Sequence, residues 1–131
     1  MEDWKVKIAV LWMVFECGAI LTPIFEMYMP GFIEELISGE IAGMQLTPEV
    51  ILLLAIILVI PPYMAFMSLT LKESINRWAN IIGGIVFAIL TPFGLSDYLA
   101  KLVPWAILIL VSQVVANVLI VWYAWKSKQK A

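Results

Sequence analysis

Three polar side chains lie inside otherwise apolar stretches, where they can do chemistry that the surrounding residues cannot. Glu16 lies near the middle of the apolar segment of residues 6–28, and Gln113 and Asn117 lie one helical turn apart in a later segment. A charged group at the centre of a bilayer costs about 3 kcal/mol or more. Such a carboxyl is expected to be protonated, paired or in contact with water. If the three faces converge, they form a polar cluster near the membrane midplane.

Glu16 has two main interpretations. A carboxyl group held away from water can bind and release protons near neutral pH, which suits a small proton- or cation-coupled transporter or channel. Alternatively, the protonated acid hydrogen-bonds across helices and only holds together a non-catalytic membrane subunit or scaffold. A shorter first helix would place Glu16 nearer a membrane surface. An enzyme is not expected, because no nucleophile is paired with a base.

Two further residues, Glu26 and Tyr63, are secondary candidates for a site. Glu26 lies about one helical turn beyond Pro23 and either gates an entrance or is an interfacial acid in contact with water. Tyr63 follows a double proline and either lines a cavity or packs against lipid or the protein core. The residue types alone leave both pairs of interpretations open.

Asn76, Arg77 and Asn80 form a polar group at the start of the third apolar segment. One interpretation is recognition of an anion or a lipid headgroup. The other is a positively charged anchor at the membrane surface with polar flanks. Both interpretations place these side chains at the end of a helix, close to the headgroups.

The composition indicates what positions these residues. The chain is 63% hydrophobic and 14% charged, whereas soluble domains have about half apolar and a quarter charged residues. Apolar runs of about 20 residues are typical of membrane-spanning helices. The sequence therefore predicts an all-α, polytopic membrane protein with a single domain. The predicted spans are residues 6–28, 48–71, 75–92 and 104–125, with a short amphipathic interfacial helix at 31–38.

Local signals mark the ends of several helices. Thr47 is expected to cap the second span, because proline and an acid follow it in the first turn. Ser74 is expected to cap the third span, and Gly39 to end the interfacial helix. Residues 40–46 are predicted to be a loop.

Prolines inside the spans are expected to disturb helical hydrogen bonding. Pro23 cannot donate to the Ala19 carbonyl, so a kink is expected there, and the Thr22 hydroxyl is expected to help satisfy freed carbonyls. Pro61-Pro62 should likewise bend the second span and leave carbonyls near Ile57 and Leu58 without their usual donors. The pentapeptide of residues 19–23, Ala-Ile-Leu-Thr-Pro, recurs at residues 88–92. This repeat hints at two duplicated helix hairpins.

Charge predicts the orientation in the cell membrane. Seven lysines and arginines flank the termini and the middle connection, and one lies in the other loops. The bias places the amino and carboxyl termini in the cytoplasm. The seven are Lys5, Lys7, Lys72, Arg77, Lys126, Lys128 and Lys130, and the exception is Lys101. A pathway through only four helices would need a homo-oligomer. Either the small-residue spacing around Gly83 and Gly84 or the lipid-facing side of the fourth span could supply the contact.

Several functions are excluded by what the sequence lacks. It has no histidine and one cysteine, Cys17, so zinc, haem and disulfide-exchange chemistry lack their usual ligands and no cofactor or metal is expected. The net charge of −2 gives no basis for a nucleic-acid partner. The expected partners are the lipid bilayer, other copies of the chain, and a proton or small cation.

The layout resembles that of the small multidrug resistance transporters, which have four helices and one membrane-embedded glutamate in the first helix. In that family the glutamate exchanges protons for cationic drugs. The resemblance carries over to Glu16 alone, as an analogy of layout. The loops here are longer, the charge bias is stronger, and the glycine motif of that family's fourth helix is absent.

A closer resemblance is to a family of small four-helix membrane proteins of unknown function from bacteria and archaea. It covers nearly the whole chain and implies the four-helix fold without implying an activity. The motifs that carry it are Leu11-Trp12, Asn76-Arg77-Trp78-Ala79-Asn80-Ile81-Ile82 followed by glycine, and Trp122-Tyr123-Ala124-Trp125.

Overall fold

Four long helices dominate the computed structural model, which describes residues 3–41, 43–94 and 96–127, apart from the side chain of Asp97. The elements in chain order are α1 (Asp3–Glu26), α2 (Phe32–Ser38), β1 (Glu40–Ile41), β2 (Met44–Gln45), α3 (Pro48–Thr70), α4 (Glu73–Gly94), α5 (Ser96–Ala100) and α6 (Pro104–Lys126). The four long helices, α1, α3, α4 and α6, are long and apolar enough to cross a membrane. The predicted all-α fold class is confirmed, and the architecture is that of a multi-pass membrane protein.

The long helices form a ring in the order α3, α1, α6, α4. Helix α6 packs extensively on α1 and α4, and α1 also packs on α3. The α3–α4 pair closes the ring with far fewer contacts. Lys7 lies over the Tyr123 ring, with Nζ 5.3 Å from its centroid, so the start of α1 and the end of α6 lie at one end of the bundle. This end, which also holds the α3–α4 turn, is the terminal end; α2, the strands and α5 lie at the loop end.

The observed helix ends agree with two of the three predicted signals. Thr47 caps α3, since its hydroxyl accepts a hydrogen bond from the Val50 N–H at 3.2 Å. Gly39 ends α2 with φ of 86° and donates to the Leu36 carbonyl at 3.0 Å. The prediction that Ser74 caps α4 is wrong. Helical hydrogen bonding there begins at the Lys72 carbonyl, which places Ser74 inside the first turn.

The loop predicted for residues 40–46 contains a small antiparallel hairpin. Its two-residue strands pair Glu40 with Gln45 and Ile41 with Met44. Gly43 in the turn has φ of 80°, a conformation that glycine adopts without steric cost. Two strands this short carry no periodic signal, so the sequence pattern could not distinguish them from a loop.

The small residues of α4 are used inside the bundle. A Cβ atom on Gly83 would lie 3.0 Å from Met64 Cε, and one on Gly84 would lie 2.7 Å from Val121 Cγ2. Gly84 therefore lets α6 approach α4 closely, whereas Gly83 makes room for the end of the Met64 side chain of α3. They are occupied by contacts within one chain, in contrast to the sequence-based suggestion that they form a face between copies.

A buried hydrogen-bond network joins three helices near the terminal end. Trp12 Nε1 on α1 donates to Asn80 Oδ1 on α4 at 2.7 Å. The Ser68 hydroxyl on α3 shares its one hydrogen between the Met64 carbonyl at 2.6 Å and the same Asn80 oxygen at 3.1 Å. Asn80 Nδ2 donates to Asn76 Oδ1 at 2.7 Å. Asn76 Nδ2 in turn donates to the Ser68 carbonyl at 2.7 Å. All four side chains are almost completely buried, where no water can bond them. These hydrogen bonds therefore satisfy their polar groups within the protein.

Three aromatic rings pack edge to face beside this network. The centroids of Trp12 and Phe87 lie 5.6 Å apart, those of Phe15 and Phe87 5.2 Å, and those of Trp12 and Phe15 6.1 Å. Such pairs stabilise a core by about 0.5–1.5 kcal/mol beyond their buried area. Two of these rings, Phe15 and Phe87, also line the cavity that contains Glu16 and Gln113.

Replacing Asn80 by alanine is expected to destabilise the bundle. The change leaves Trp12 Nε1 buried without an acceptor, and an unsatisfied buried donor costs about 1–3 kcal/mol. We expect a lower melting temperature in detergent. The matched control is Ile82→Ala on the same helix, where the side chain is exposed and its removal should change melting little. Equal melting of the two variants would contradict the role assigned to the network.

Candidate functional site

A cavity of about 180 Å³ lies between the four long helices, on the loop-end side of Trp12. Its lining comes from every long helix and is mostly apolar, with Glu16 as its one ionisable side chain. The lining residues are Phe15, Glu16, Ala19 and Thr22 of α1, Ile57, Leu58 and Pro61 of α3, Phe87, Leu90 and Thr91 of α4, and Gln113 of α6.

Glu16 is buried at the cavity wall without a partner. Its side chain is 4% exposed, and neither carboxyl oxygen accepts a hydrogen bond from any described residue. The lysines and arginines of the described chain lie near the helix ends or in the loops, several turns away along the sequence. Within the described chain, no cluster of three histidine, cysteine or acidic side chains could hold a metal ion. The carboxyl group therefore lies beside the cavity with both oxygens almost completely buried and without a hydrogen-bond partner among the described residues.

Gln113 shares the cavity with Glu16, as the sequence predicted for two members of the polar cluster. Its side chain is 4% exposed, and Nε2 donates to the Phe15 carbonyl at 3.2 Å. Gly18 creates the room for this contact, because a Cβ atom there would lie 2.8 Å from Gln113 Cγ. The glutamine thus fastens α6 to α1 beside the carboxyl group.

Asn117, the third predicted member, does not line the cavity. It is fully buried one turn nearer the terminal end, at the contact between α6 and Gly84 of α4. Neither its amide nitrogen nor its amide oxygen has a hydrogen-bond partner among the described residues. Helical spacing correctly placed it on the same face as Gln113, but one turn of rise separates it from the cavity.

Three of the residues that line the cavity have a carbonyl group without the donor that a regular helix would supply. Each lies four residues before a proline: Ala19 before Pro23, Ile57 before Pro61, and Leu58 before Pro62. The helices run continuously through these prolines. The prolines therefore remove three helical N–H donors next to the cavity without breaking the helices.

The repeated Ala-Ile-Leu-Thr-Pro segments bring two equivalent threonines to the same cavity. The Thr22 hydroxyl donates to the Gly18 carbonyl at 2.8 Å, and the Thr91 hydroxyl donates to the Phe87 carbonyl at 2.5 Å. Both hydroxyl groups bond the carbonyl four residues back. Thr22 was expected to help satisfy carbonyls freed by Pro23, but its donor is used on Gly18 and does not reach Ala19.

The secondary candidates Glu26 and Tyr63 lie outside the cavity. Glu26 is half-buried near the loop end and accepts a hydrogen bond from the Tyr98 hydroxyl at 3.3 Å. The nearby Phe25 and Trp105 rings stack with centroids 5.6 Å apart. Tyr63 is 63% exposed on the outside of α3, in the position of a lipid-facing side chain.

Asn76 and Asn80 point into the buried network, so they do not face the headgroups as expected. Arg77 alone of the three lies at the surface of the terminal end. Its guanidinium carbon is 5.0 Å from the centroid of Trp78 and 5.3 Å from that of Trp125. Cation–π contacts of this kind fix the arginine between two interfacial rings. Lys128 and Lys130 of the predicted basic tail lie outside the described residues.

Sequence reasoning missed Ser68, Thr91 and the aromatic trio as neighbours of the site. A signal for Thr91 was present, since it occupies the same place as Thr22 in the repeat. Trp12 was also marked by its position, because it lies one turn from Glu16 in the apolar interior, whereas membrane tryptophans favour the interfaces. Ser68 had no distinguishing pattern.

The contact between Gly18 and Gln113 predicts a coupled pair of substitutions. Gly18→Ala should destabilise the protein by about 1–3 kcal/mol, because the added methyl group overlaps the glutamine side chain. Gln113→Ala removes that overlap, so the double variant should be more stable than the sum of the two single losses predicts. Thermal melting in detergent measures all three variants. Strict additivity would show that the glycine does not make room for Gln113.

Comparison with known proteins identifies the family of this chain. All residues, 1–131, match the family described as "Family of unknown function (DUF6326)". No curated protein and no solved structure matches the chain. The sequence-based resemblance to an uncharacterised family is thereby confirmed, and the chain belongs to this family of unknown function.

Proposed function

We propose that the protein is a small proton- or cation-coupled membrane transporter or channel whose coupling group is Glu16. The observation that carries the proposal is a buried carboxyl group without any described partner on the wall of a 180 Å³ cavity. Ionisable groups inside a membrane mark ion and substrate pathways when they face a cavity. Glu16 binds a proton when the cavity is empty and exchanges it for a cation.

The alternative role, a structural acid that holds helices together, has less support. That role requires the carboxyl group to donate or accept a hydrogen bond across helices. The polar side chains that join helices here are Trp12, Ser68 and Asn80 at one level and Gln113 at the next. Glu16 takes part in none of these bonds, so the helices are joined by polar contacts that do not involve Glu16.

The proposal includes an orientation and an assembly. The excess of lysine and arginine at the terminal end supports an orientation with that end in the cytoplasm. One four-helix bundle encloses little volume, so the working unit is an oligomer. Because Gly83 and Gly84 are in contact with other helices of the same chain, the contact between copies is formed by the exposed stripe of α6. This stripe consists of Leu108, Val111, Val115, Val118 and Trp122.

The test is proton flux in proteoliposomes that carry a pH gradient and an entrapped pH-sensitive dye. The wild-type protein should dissipate the gradient when Na⁺, K⁺ or an alkylammonium salt is added outside. Glu16→Gln keeps the shape of the side chain but cannot ionise, so its flux should fall to the level of protein-free vesicles. Melting in detergent verifies that the variant is folded.

Two control variants sharpen this measurement. Glu16→Asp retains an ionisable carboxyl group on the same wall and should retain part of the flux. Glu35→Gln removes an exposed acid of α2, far along the chain from the cavity, and should leave the flux unchanged. The proposal fails if Glu16→Gln conducts as fast as the wild-type protein.

A further inference from the structure

Arg77 is a permanently charged side chain whose hydrogen-bond donors are unused by the described chain. A guanidinium carries five N–H donors and stays protonated in proteins. Nε is enclosed without an acceptor, and among the described residues no carboxylate forms an ion pair with Arg77. The side chain as a whole is half-buried, so its terminal nitrogens reach the surface of the terminal end. Acceptors for these donors have to come from outside the described chain.

Two tryptophan rings hold this guanidinium in one place. Its carbon lies 5.0 Å from the Trp78 centroid on α4 and 5.3 Å from the Trp125 centroid on α6. The second contact crosses between helices, so Arg77 lies over the junction where α4 and α6 pack extensively. A residue that anchored the bundle by charge alone would need neither ring. The rings preorganise a planar fork of N–H groups that matches two oxygens of a phosphate.

The tryptophans also indicate the depth of this group in the membrane. Trp78 and Trp125 are 49% and 54% exposed, and indole rings near the ends of spanning helices favour the headgroup layer. The guanidinium between them therefore lies at the level of the lipid phosphates.

Positive charge exceeds negative charge around this group, which attracts an anion. The described charged residues of the terminal end are Lys5, Lys7, Lys72, Arg77 and Lys126, against Asp3 and Glu73.

An exposed apolar stripe of α4 continues from Trp78 towards the middle of the membrane. Ile82, Ile85 and Ile89 follow Trp78 at helical spacing and are 60%, 46% and 58% exposed. The helical rise from Trp78 to Ile89 is about 16 Å, and half of the hydrocarbon core of a bilayer is about 15 Å thick. The stripe therefore gives one lipid chain a continuous apolar surface across its leaflet. This continuity favours a lipid over a free phosphate ion.

We propose that Arg77, Trp78 and Trp125 form a binding site for the phosphate of an anionic glycerophospholipid, with one acyl chain along the isoleucine stripe of α4. The ligand chemistry is a phosphodiester on a lipid of net negative charge. Under the proposed orientation the site faces the cytoplasmic leaflet, which is rich in anionic lipids. The site lies at the terminal end, away from the cavity, so it does not depend on Glu16 or on the proposed function.

The experiment is native mass spectrometry of the full-length protein in detergent, titrated with dioleoylphosphatidylglycerol or dioleoylphosphatidylcholine. The two lipids share their chains and their phosphate and differ in net charge. We expect one phosphatidylglycerol per chain to bind at least roughly tenfold more tightly than phosphatidylcholine. Equal binding of the two lipids would overturn the proposal. Displacement of the lipid by ammonium phosphate, but not by ammonium acetate at equal ionic strength, would assign the site to free phosphate and overturn it too.

Variants test whether the site is built around Arg77 or is only a diffuse positive charge. Arg77→Gln should abolish the preference for phosphatidylglycerol. Arg77→Lys keeps the charge but loses the planar fork, so it should bind phosphatidylglycerol at least roughly threefold more weakly.

The matched control is Lys72→Gln, which removes one positive charge from an exposed residue of the α3–α4 turn at the same end. It should keep the wild-type preference, and melting in detergent verifies that each variant is folded. The proposal is overturned if Lys72→Gln and Arg77→Gln weaken binding equally, or if Arg77→Lys binds as tightly as the wild-type protein. The lipid comparison on the unaltered protein decides the question even where a variant does not fold.

Discussion

A polar group inside a membrane must find its partner within the protein, and this bundle meets that constraint unevenly. Near the terminal end, Trp12, Ser68, Asn76 and Asn80 satisfy one another through short hydrogen bonds. One turn further along α1, Glu16 has no described partner at all. Apolar packing and hydrogen bonds stabilise the bundle around Trp12. This stability offsets the free-energy cost of burying Glu16 without a partner. The contrast between the two levels is what separates scaffold from candidate site.

The hydrophobic pattern was sufficient to predict the architecture. Four apolar runs of membrane-spanning length could be placed from the order of apolar and polar residues, and the Thr47 cap and the Gly39 stop followed from the residue types next to each helix end. Each of these features is determined by residues that are close together in the sequence, so it could be predicted from the sequence. The two-residue strands and the true start of α4 depend on hydrogen bonds that leave no periodic trace.

The site was only partly predictable, because helix rotation and depth are set by packing between distant segments. Spacing placed Gln113 and Asn117 on one face, yet only Gln113 reaches the cavity with Glu16. Asn76 and Asn80 were assigned to the membrane surface from their position near a helix start, but α4 turns them inward. The sequence could not predict which residue of another helix each polar side chain contacts, such as Ser68 of α3 for Asn80 of α4.

The bond between Trp12 and Asn80 spans 68 residues of sequence, and that between Gln113 and Phe15 spans 98. Helices enter a membrane in the order of their synthesis, so α1 arrives before either partner exists. Until α4 has been inserted, the indole N–H of Trp12 has no amide oxygen to meet, and the final contact with α6 comes last of all. During biogenesis α1 is therefore inserted before its partners α4 and α6. In that interval its buried polar groups can be satisfied only by lipid, water or the insertion machinery.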